Sequence, residues 1–295
     1  INNDEYVLVN TNDCPFPIMR ETLELVKEQY PKVDFLMVGY TGASLYPFAM
    51  VDYNDSKMKE ARDKTKMKGL NFAVDYINYL RPNHYFPFAG TYVLNSDNWK
   101  LNEFSPIPTL TETKEYINNK IDLSLNSSNC VLLNSGSFFD LSSQTQSQSY
   151  YQYNESEKWE YLSNVLSKES YPFQQDDFKS FADFQNLIEL SFDRFRKKVN
   201  EIKYTSNSRI YIQFGTYCVE IDISTNFPSY ILHEKLDFIL NEHYHYFIID
   251  SRLFYRTLCG PRFAHWNNIE IGALLKLKRV PDIYEQGIHL SLCYF

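Results

Sequence analysis

Three short apolar runs, Tyr6–Asn10, Val33–Tyr40 and His84–Phe88, are separated by stretches that read as helices, and this alternation constrains the fold more than any other feature of the chain. Pro17 opens a segment from Ile18 to Tyr30 rich in helix formers, and Pro31 stops it. Asp55 or Ser56 can cap a second helix, in which Lys57, Lys59, Arg62, Lys64 and Lys66 precede an apolar stripe of Leu70, Ala73, Val74, Ile77 and Leu80 that ends at Pro82. Tyr92 to Leu94 returns to strand-like sequence. A β-α-β-α-β order predicts an α/β layer whose neighbouring strands run parallel.

With 295 residues the chain can hold two domains. The stretch 142–156, dominated by Ser, Gln, Tyr and Asn, has too little apolar content to fold by itself, so it is the expected linker between a domain of residues 1–141 and one of 157–295. Beyond it, Phe178, Phe181, Phe184, Leu187, Ile188, Phe192, Phe195 and Val199 recur at spacings of three and four, which predicts a long amphipathic helix. Arg209–Phe214 and Tyr217–Ile223 around Gly215-Thr216 predict a hairpin, making the second domain α+β.

The net charge of −8 repels phosphate backbones, and the lysine- and arginine-rich segments 57–68 and 194–198 interleave with apolar positions as solvated helix faces do, which argues against a nucleic-acid partner. Five scattered cysteines include no CxxC pair, so no zinc knuckle is expected and a reducing compartment is. No apolar run is long enough for a membrane span and no signal-peptide layout is present, so the expected address is cytoplasmic. The chain opens at Ile1, already in strand-like sequence, which raises the expectation of a further segment upstream.

Ligands of open α/β sheets collect at the carboxyl ends of the strands. The first such end, Asn10-Thr11-Asn12-Asp13-Cys14, offers a carboxylate and two amides that could bind a metal or orient a polar substrate, or could form an Asx turn capping the next helix. The second, Tyr40-Thr41-Gly42-Ala43-Ser44, combines small residues with hydroxyls and a phenol, and reads either as a ligand loop or as a simple turn. In the third, Pro87-Phe88-Ala89-Gly90-Thr91, the small pair permits something bulky to come close. His243-Tyr-His245 could place two imidazoles on one strand face, yet Tyr246 to Ile249 follow where a zinc motif would continue, and a half-exposed strand face explains the pair more simply. His84 reads as structural. His265-Trp266 reads as pocket lining or as a core Trp with a polar handle, and Arg279 as a partner for Asp282.

These phrases carry a resemblance. Asn10 to Cys14, the run Asp34-Phe-Leu-Met-Val-Gly-Tyr-Thr-Gly-Ala-Ser44, Leu80-Arg-Pro82, Pro87-Phe-Ala-Gly90, Asn102-Glu103 and Leu132-Leu-Asn-Ser-Gly136 resemble the second half of the metallo-β-lactamase αββα fold, in particular proteins related to CMP-N-acetylneuraminate hydroxylase. The resemblance implies that Asp13 is a metal ligand; in the expected mechanism Asn12, Tyr40, Thr41 and Ser44 position the substrate. Gly42, Pro87, Ala89 and Gly90 would carry the backbone of the family phrases. It implies a divalent metal, zinc or iron. The last metal-binding His of ordinary members would fall near Ala89, which cannot ligate. The His-x-His-x-Asp-His cluster and the Cys/His pairs of a Rieske cluster do not occur in this sequence.

The expected function is therefore part of a metal-dependent hydrolase-like or hydroxylase-like enzyme acting on a sugar-nucleotide or related polar substrate. An N-terminal half-domain or a partner chain would complete its metal site. The alternative is a non-catalytic ligand- or partner-binding protein on a degenerate fold of the same kind. The C-terminal segment from Ile249 to Tyr284 is similar to the tail domain of the same group and, more weakly, to sterol-carrier-like modules, whose aromatics would line an apolar tunnel; the simpler reading is that the aromatics fill the core.

Overall fold

The computed structural model describes residues 5–122 and 128–295; Ile1 lies outside them. The chain divides into two compact units. The first comprises residues 1–43, 57–93 and 99–166, and the second 44–56, 94–98 and 167–295.

The first unit is built on a parallel sheet of β1 (Leu8–Asn10), β2 (Phe35–Gly39), β3 (His84–Phe88) and β4 (Asn129–Cys130), in that spatial order. Helix α1 (Phe16–Gln29) connects β1 to β2, and α2 (Asp55–Leu80) lies between β2 and β3 in sequence. The α2 stripe of Leu70, Ala73, Val74, Ile77 and Leu80 is buried with Leu36, Val38, Tyr40 and Tyr85 of the sheet region and with Ile117 of α3 (Leu110–Asn118). That spacing is the 3.6-residue period placing one helix face on a sheet. Arg81, at φ 49°, steps out of the helix with its N–H on the Ile77 carbonyl, and Pro82 prevents continuation. The expected α/β layer with parallel neighbours is thus present.

Asp34 ties the amino ends of three strands. Its Oδ2 accepts the Val7 N–H at 3.0 Å, its Oδ1 accepts the Asn83 amide at 3.0 Å, and Lys32 Nζ lies 2.9 Å away. Burial would raise the Asp34 pKa, but these donors prevail and hold it below the ordinary value.

Residues 142–156 differ from the expected linker, because they are part of the first unit. The strands β5 (Phe139–Asp140) and β6 (Thr145–Gln146) pair as a hairpin, the Gln146 amide donates to the Leu132 carbonyl, and α4 (Glu155–Asn164) follows in the same unit. Polar hydrogen bonding replaces the apolar contacts that the segment lacks. Tyr92–Leu94, expected as strand, is irregular.

In the second unit β11 (Leu275–Val280), β10 (Tyr244–Ile249), β7 (Arg209–Phe214), β8 (Tyr217–Asp222) and β9 (Ser229–His233) form one sheet in that order; β10 and β7 are parallel and the other neighbours antiparallel. The predicted hairpin is β7–β8, turning at Gly215 with φ 67°. Helix α5 (Phe181–Glu201) buries Phe184, Ile188, Phe192, Phe195 and Val199, with the Phe184 ring 4.6 Å from that of Phe214. Phe178, the first residue of the predicted stripe, lies before the helix and is exposed. Helices α6 (Ser251–Leu258), α7 (Trp266–Ile271) and α8 (Gln286–Leu292) complete the unit. Its aromatics pack against one another in this core. Among the described residues no helix is long and apolar enough to cross a membrane.

Candidate functional site at the carboxyl edge of the parallel sheet

The loop after β1 is pinned from below. Thr11 is buried, sends its N–H to the Met37 carbonyl at 3.0 Å, and accepts the Gly39 N–H on its hydroxyl at 3.4 Å. Cys14 N–H returns to the Thr11 carbonyl, while the Tyr76 hydroxyl of α2 donates to the Cys14 carbonyl at 2.8 Å. Asn12 sits in the left-handed region at φ 30°, its N–H on the Asn10 side chain. The result is an Asx turn on a rigid base, with Asn12 and Asp13 exposed. The Asn12 amide donates to Asp13 Oδ2 at 3.2 Å.

Close packing, not openness, explains most of the glycines here. A Cβ on Gly39 would lie 2.5 Å from the Asn12 carbonyl oxygen, and one on Gly69 of α2 would lie 2.4 Å from the Tyr40 carbonyl oxygen. A Cβ on Gly90 would meet Thr41 Cγ2 at 2.4 Å and the Tyr40 ring at 2.8 Å. The sequence predicts that the small pair Ala89-Gly90 admits something bulky; the bulky groups are Tyr40 and Thr41 of the same unit. Ala89 itself turns the chain at φ 54°. Pro87 pairs with Val38 beyond the reach of β4, so its missing N–H costs no bond to that strand. Gly42 is the exception: it is exposed, and a Cβ added there would have nothing within 4 Å.

Tyr40, expected to touch substrate, is buried instead, with its hydroxyl 3.0 Å from the Thr91 hydroxyl; burial raises its pKa. Its polar end therefore acts through Thr91. Thr41 is half-buried beside it. Ser44 opens the 44–56 segment of the second unit, where its hydroxyl accepts the Tyr46 N–H at 3.1 Å.

Thr91 leads into a cavity of about 370 Å³ within the first unit. Asn102, Asn134, Tyr150, Gln152 and Lys158 contribute its polar wall, alongside Thr109 at the start of α3. Asn134 clamps the Tyr151 backbone, accepting its N–H at 3.0 Å and donating to its carbonyl at 2.9 Å. Gln152 Oε1 accepts both the Tyr150 hydroxyl at 2.7 Å and the Thr111 hydroxyl at 3.2 Å. The Lys158 ammonium lies at the wall, 3.1 Å from Glu155. This wall is not legible as such in the sequence: Tyr150 to Tyr153 belong to the stretch that reads as a linker. The signal available is that Asn102 and Asn134 both stand in phrases carrying the resemblance.

Asp13 is the one residue of the expected metal site that lies at this edge. It is exposed, and one of its oxygens already takes the Asn12 amide. Among the described residues no group of three or more His, Cys, Asp or Glu side chains is placed to hold a metal ion. One carboxylate does not make a zinc or iron site, so the residues at this edge do not by themselves fit the implied metal.

The histidine pair behaves differently from either expectation. His243 precedes β10 and is exposed, whereas His245 is almost wholly buried, with both ring nitrogens lacking hydrogen bonds and Glu285 Oε1 at 3.7 Å. The half-exposed face is not found, because α8 supplies His289 to that side of β10, its ring 6.0 Å from that of His245. Burial pushes the His245 pKa down to about 4, the Glu285 charge opposing it only in part. Glu285 is tied by the hydroxyls of Tyr204, Ser206 and Ser208 at 2.7, 2.5 and 2.5 Å. His289 Nδ1 lies 2.6 Å from the Glu270 Oε1 that also accepts the Trp266 indole N–H at 2.8 Å, so the polar handle of the buried Trp266 is satisfied. His84 is buried against Phe139, and Arg279 binds Asp282 at 2.9 Å.

Compared with known proteins, the chain matches no family model, no curated protein and no solved structure.

Proposed function

We propose that the first unit binds a small polar molecule of the sugar or sugar-nucleotide class at the carboxyl edge of its parallel sheet, in the cavity beside Thr91. The observation that carries this reading is the wall itself: amides, hydroxyls and tyrosine rings face a cavity of about 370 Å³ at the end of β3. Amides and hydroxyls exchange hydrogen bonds with sugar hydroxyls, tyrosine faces cover the apolar faces of a ring, and Lys158 offers a cation for a phosphate. The location agrees with the general rule for ligands of open α/β sheets.

The wider proposal is that the chain forms part of a metal-dependent hydrolase-like or hydroxylase-like enzyme of the metallo-β-lactamase kind. Asp13 supports it: a solvent-facing carboxylate held on a rigid turn three residues past the end of β1 could join ligands supplied by another segment or chain. Binding would then be this unit's contribution, and the cavity serves equally well in a non-catalytic binding protein.

Isothermal titration of the whole chain with a CMP-linked sugar, the free sugar and CMP tests the first reading. Saturable binding of the linked compound is expected, weakened at least about tenfold by Asn134→Ala through loss of the clamp on Tyr151 and unchanged by Lys198→Ala on the second unit. Binding that is absent, or indifferent to Asn134→Ala and Gln152→Ala together, overturns it.

A further inference from the structure

A second cavity, of about 530 Å³, lies entirely within the second unit, between α5, the segment from Gly260 to Asn267, and the end of α8. Its size falls within the roughly 300–1,000 Å³ typical of small-molecule sites. The floor is apolar and aromatic: Trp266 and Phe295 are buried there, flanked by Pro261 and Ala264, while Leu290 and Tyr294 stand half-exposed at the mouth.

The polar groups sort by depth. Those in the floor are consumed by backbone, the Thr257 hydroxyl donating to the Leu253 carbonyl at 2.9 Å and the Cys293 thiol to the His289 carbonyl at 3.4 Å. Those at the mouth include charged and neutral donors. Arg194 uses Nη2 toward Ser191 and the Phe295 carbonyl at 2.9 and 3.2 Å and Nη1 toward the Leu190 carbonyl at 3.4 Å, which leaves part of its five-donor fork unspent. His265 accepts the Asn267 N–H on Nδ1 at 3.2 Å, which puts the proton of its neutral ring on Nε2. The Asn267 side-chain amide, which both donates and accepts, also lines the cavity. Neither Asp nor Glu is among the described residues lining the cavity.

We propose that this cavity is a binding site for a compact apolar or aromatic acid, its ring system among Pro261, Ala264, Leu290 and Tyr294 above the buried Trp266 and Phe295, and its carboxylate against Arg194, His265 and Asn267. An apolar floor alone would select by size. Arg194 adds selection for an anion, because its unspent N–H groups carry a positive charge that a carboxylate pairs with and a neutral amide does not. The site is independent of the first unit's cavity, so either can fail without the other.

The test is titration of the full chain with 2-naphthoate and with 2-naphthamide, the same ring with a neutral head. Saturable binding of the acid is expected, with the amide at least about tenfold weaker, and Arg194→Gln is expected to bring the two within about threefold. Because Arg194 also holds backbone, His265→Ala at the rim supplies a second reading and is expected to narrow the same gap. Leu290→Trp, at an exposed position, is expected to block both ligands by filling the mouth. Failure of the acid to bind saturably, equal binding of acid and amide, or binding untouched by Leu290→Trp overturns the proposal.

Discussion

The Tyr40 hydroxyl lies 3.0 Å from that of Thr91, which joins the end of β2 to the strand exit that borders the first unit's cavity. Tyr40 is buried, so Tyr40→Phe removes one hydroxyl bond while leaving the ring packing intact. A loss of about 1 kcal/mol in stability by urea unfolding is expected. In the sugar-nucleotide titration the same variant should weaken binding far less than Asn134→Ala does, since Tyr40 reaches the cavity only through Thr91.

Gly90 and Gly42 should respond in opposite ways to the same methyl group. At Gly90 the added carbon meets Thr41 and the Tyr40 ring at 2.4 and 2.8 Å, so Gly90→Ala should cost about 1–3 kcal/mol as an overpacked site. At Gly42, with nothing within 4 Å, Gly42→Ala should stay within about 0.5 kcal/mol of wild type. Denaturant midpoints at constant slope would show the difference; equal effects would contradict the packing described for the Tyr40 region.

Glu270→Ala strands two buried donors at once, the Trp266 indole N–H and the His289 ring nitrogen. A loss of about 2–4 kcal/mol is expected, and Glu270→Gln, which keeps an acceptor oxygen, should cost less. Thermal unfolding followed by Trp fluorescence measures both.

Acid should destabilise the second unit well above the carboxylate range. His245 titrates near 6.5 when unfolded and at about 4 when folded, so between those values the unfolded chain binds the extra proton. Stability is therefore intact above pH 6.5 and falls as the pH drops toward 4, by up to about 3 kcal/mol from this group. Glu285, the neighbouring carboxylate held below its ordinary value of 4.5, adds its own loss only once its unfolded form begins to protonate, at the acid end of the window. Urea unfolding at half-unit pH steps should show the slope, and His245→Phe should flatten it; a slope that persists in the variant would place the proton elsewhere.

Asp13 is exposed and makes one side-chain contact, with Asn12, so Asp13→Ala should leave the stability within about 0.5 kcal/mol of wild type. Plasma mass spectrometry of the purified chain should find well under one equivalent of zinc or iron, the same in both proteins. Stoichiometric metal lost in the variant would reveal ligands beyond those assembled at this edge.

The α/β layer, the α2 stripe, the α5 stripe and the β7–β8 hairpin are all legible in the sequence, because each depends on local periodicity and on punctuation by Pro and Gly. The candidate edge is legible as three strand ends, since the β-α-β order alone brings them together. What those ends do is decided by contacts between segments far apart in the chain. Asp34 reaches Val7 and Asn83, and Gly90 yields its space to Tyr40. Composition marks Tyr150 to Tyr153 as linker, yet Asn134 clamps that segment into a cavity wall, a pairing that no local pattern encodes. Likewise, His245 shows a strand's alternation in sequence, but its burial and depressed pKa follow from α8 and Glu285 packing over it. Period and turn chemistry are properties of neighbouring residues and can be read in order along a chain. Burial, unpaired donors and cavity walls are properties of distant segments in contact, and only the tertiary structure sets them.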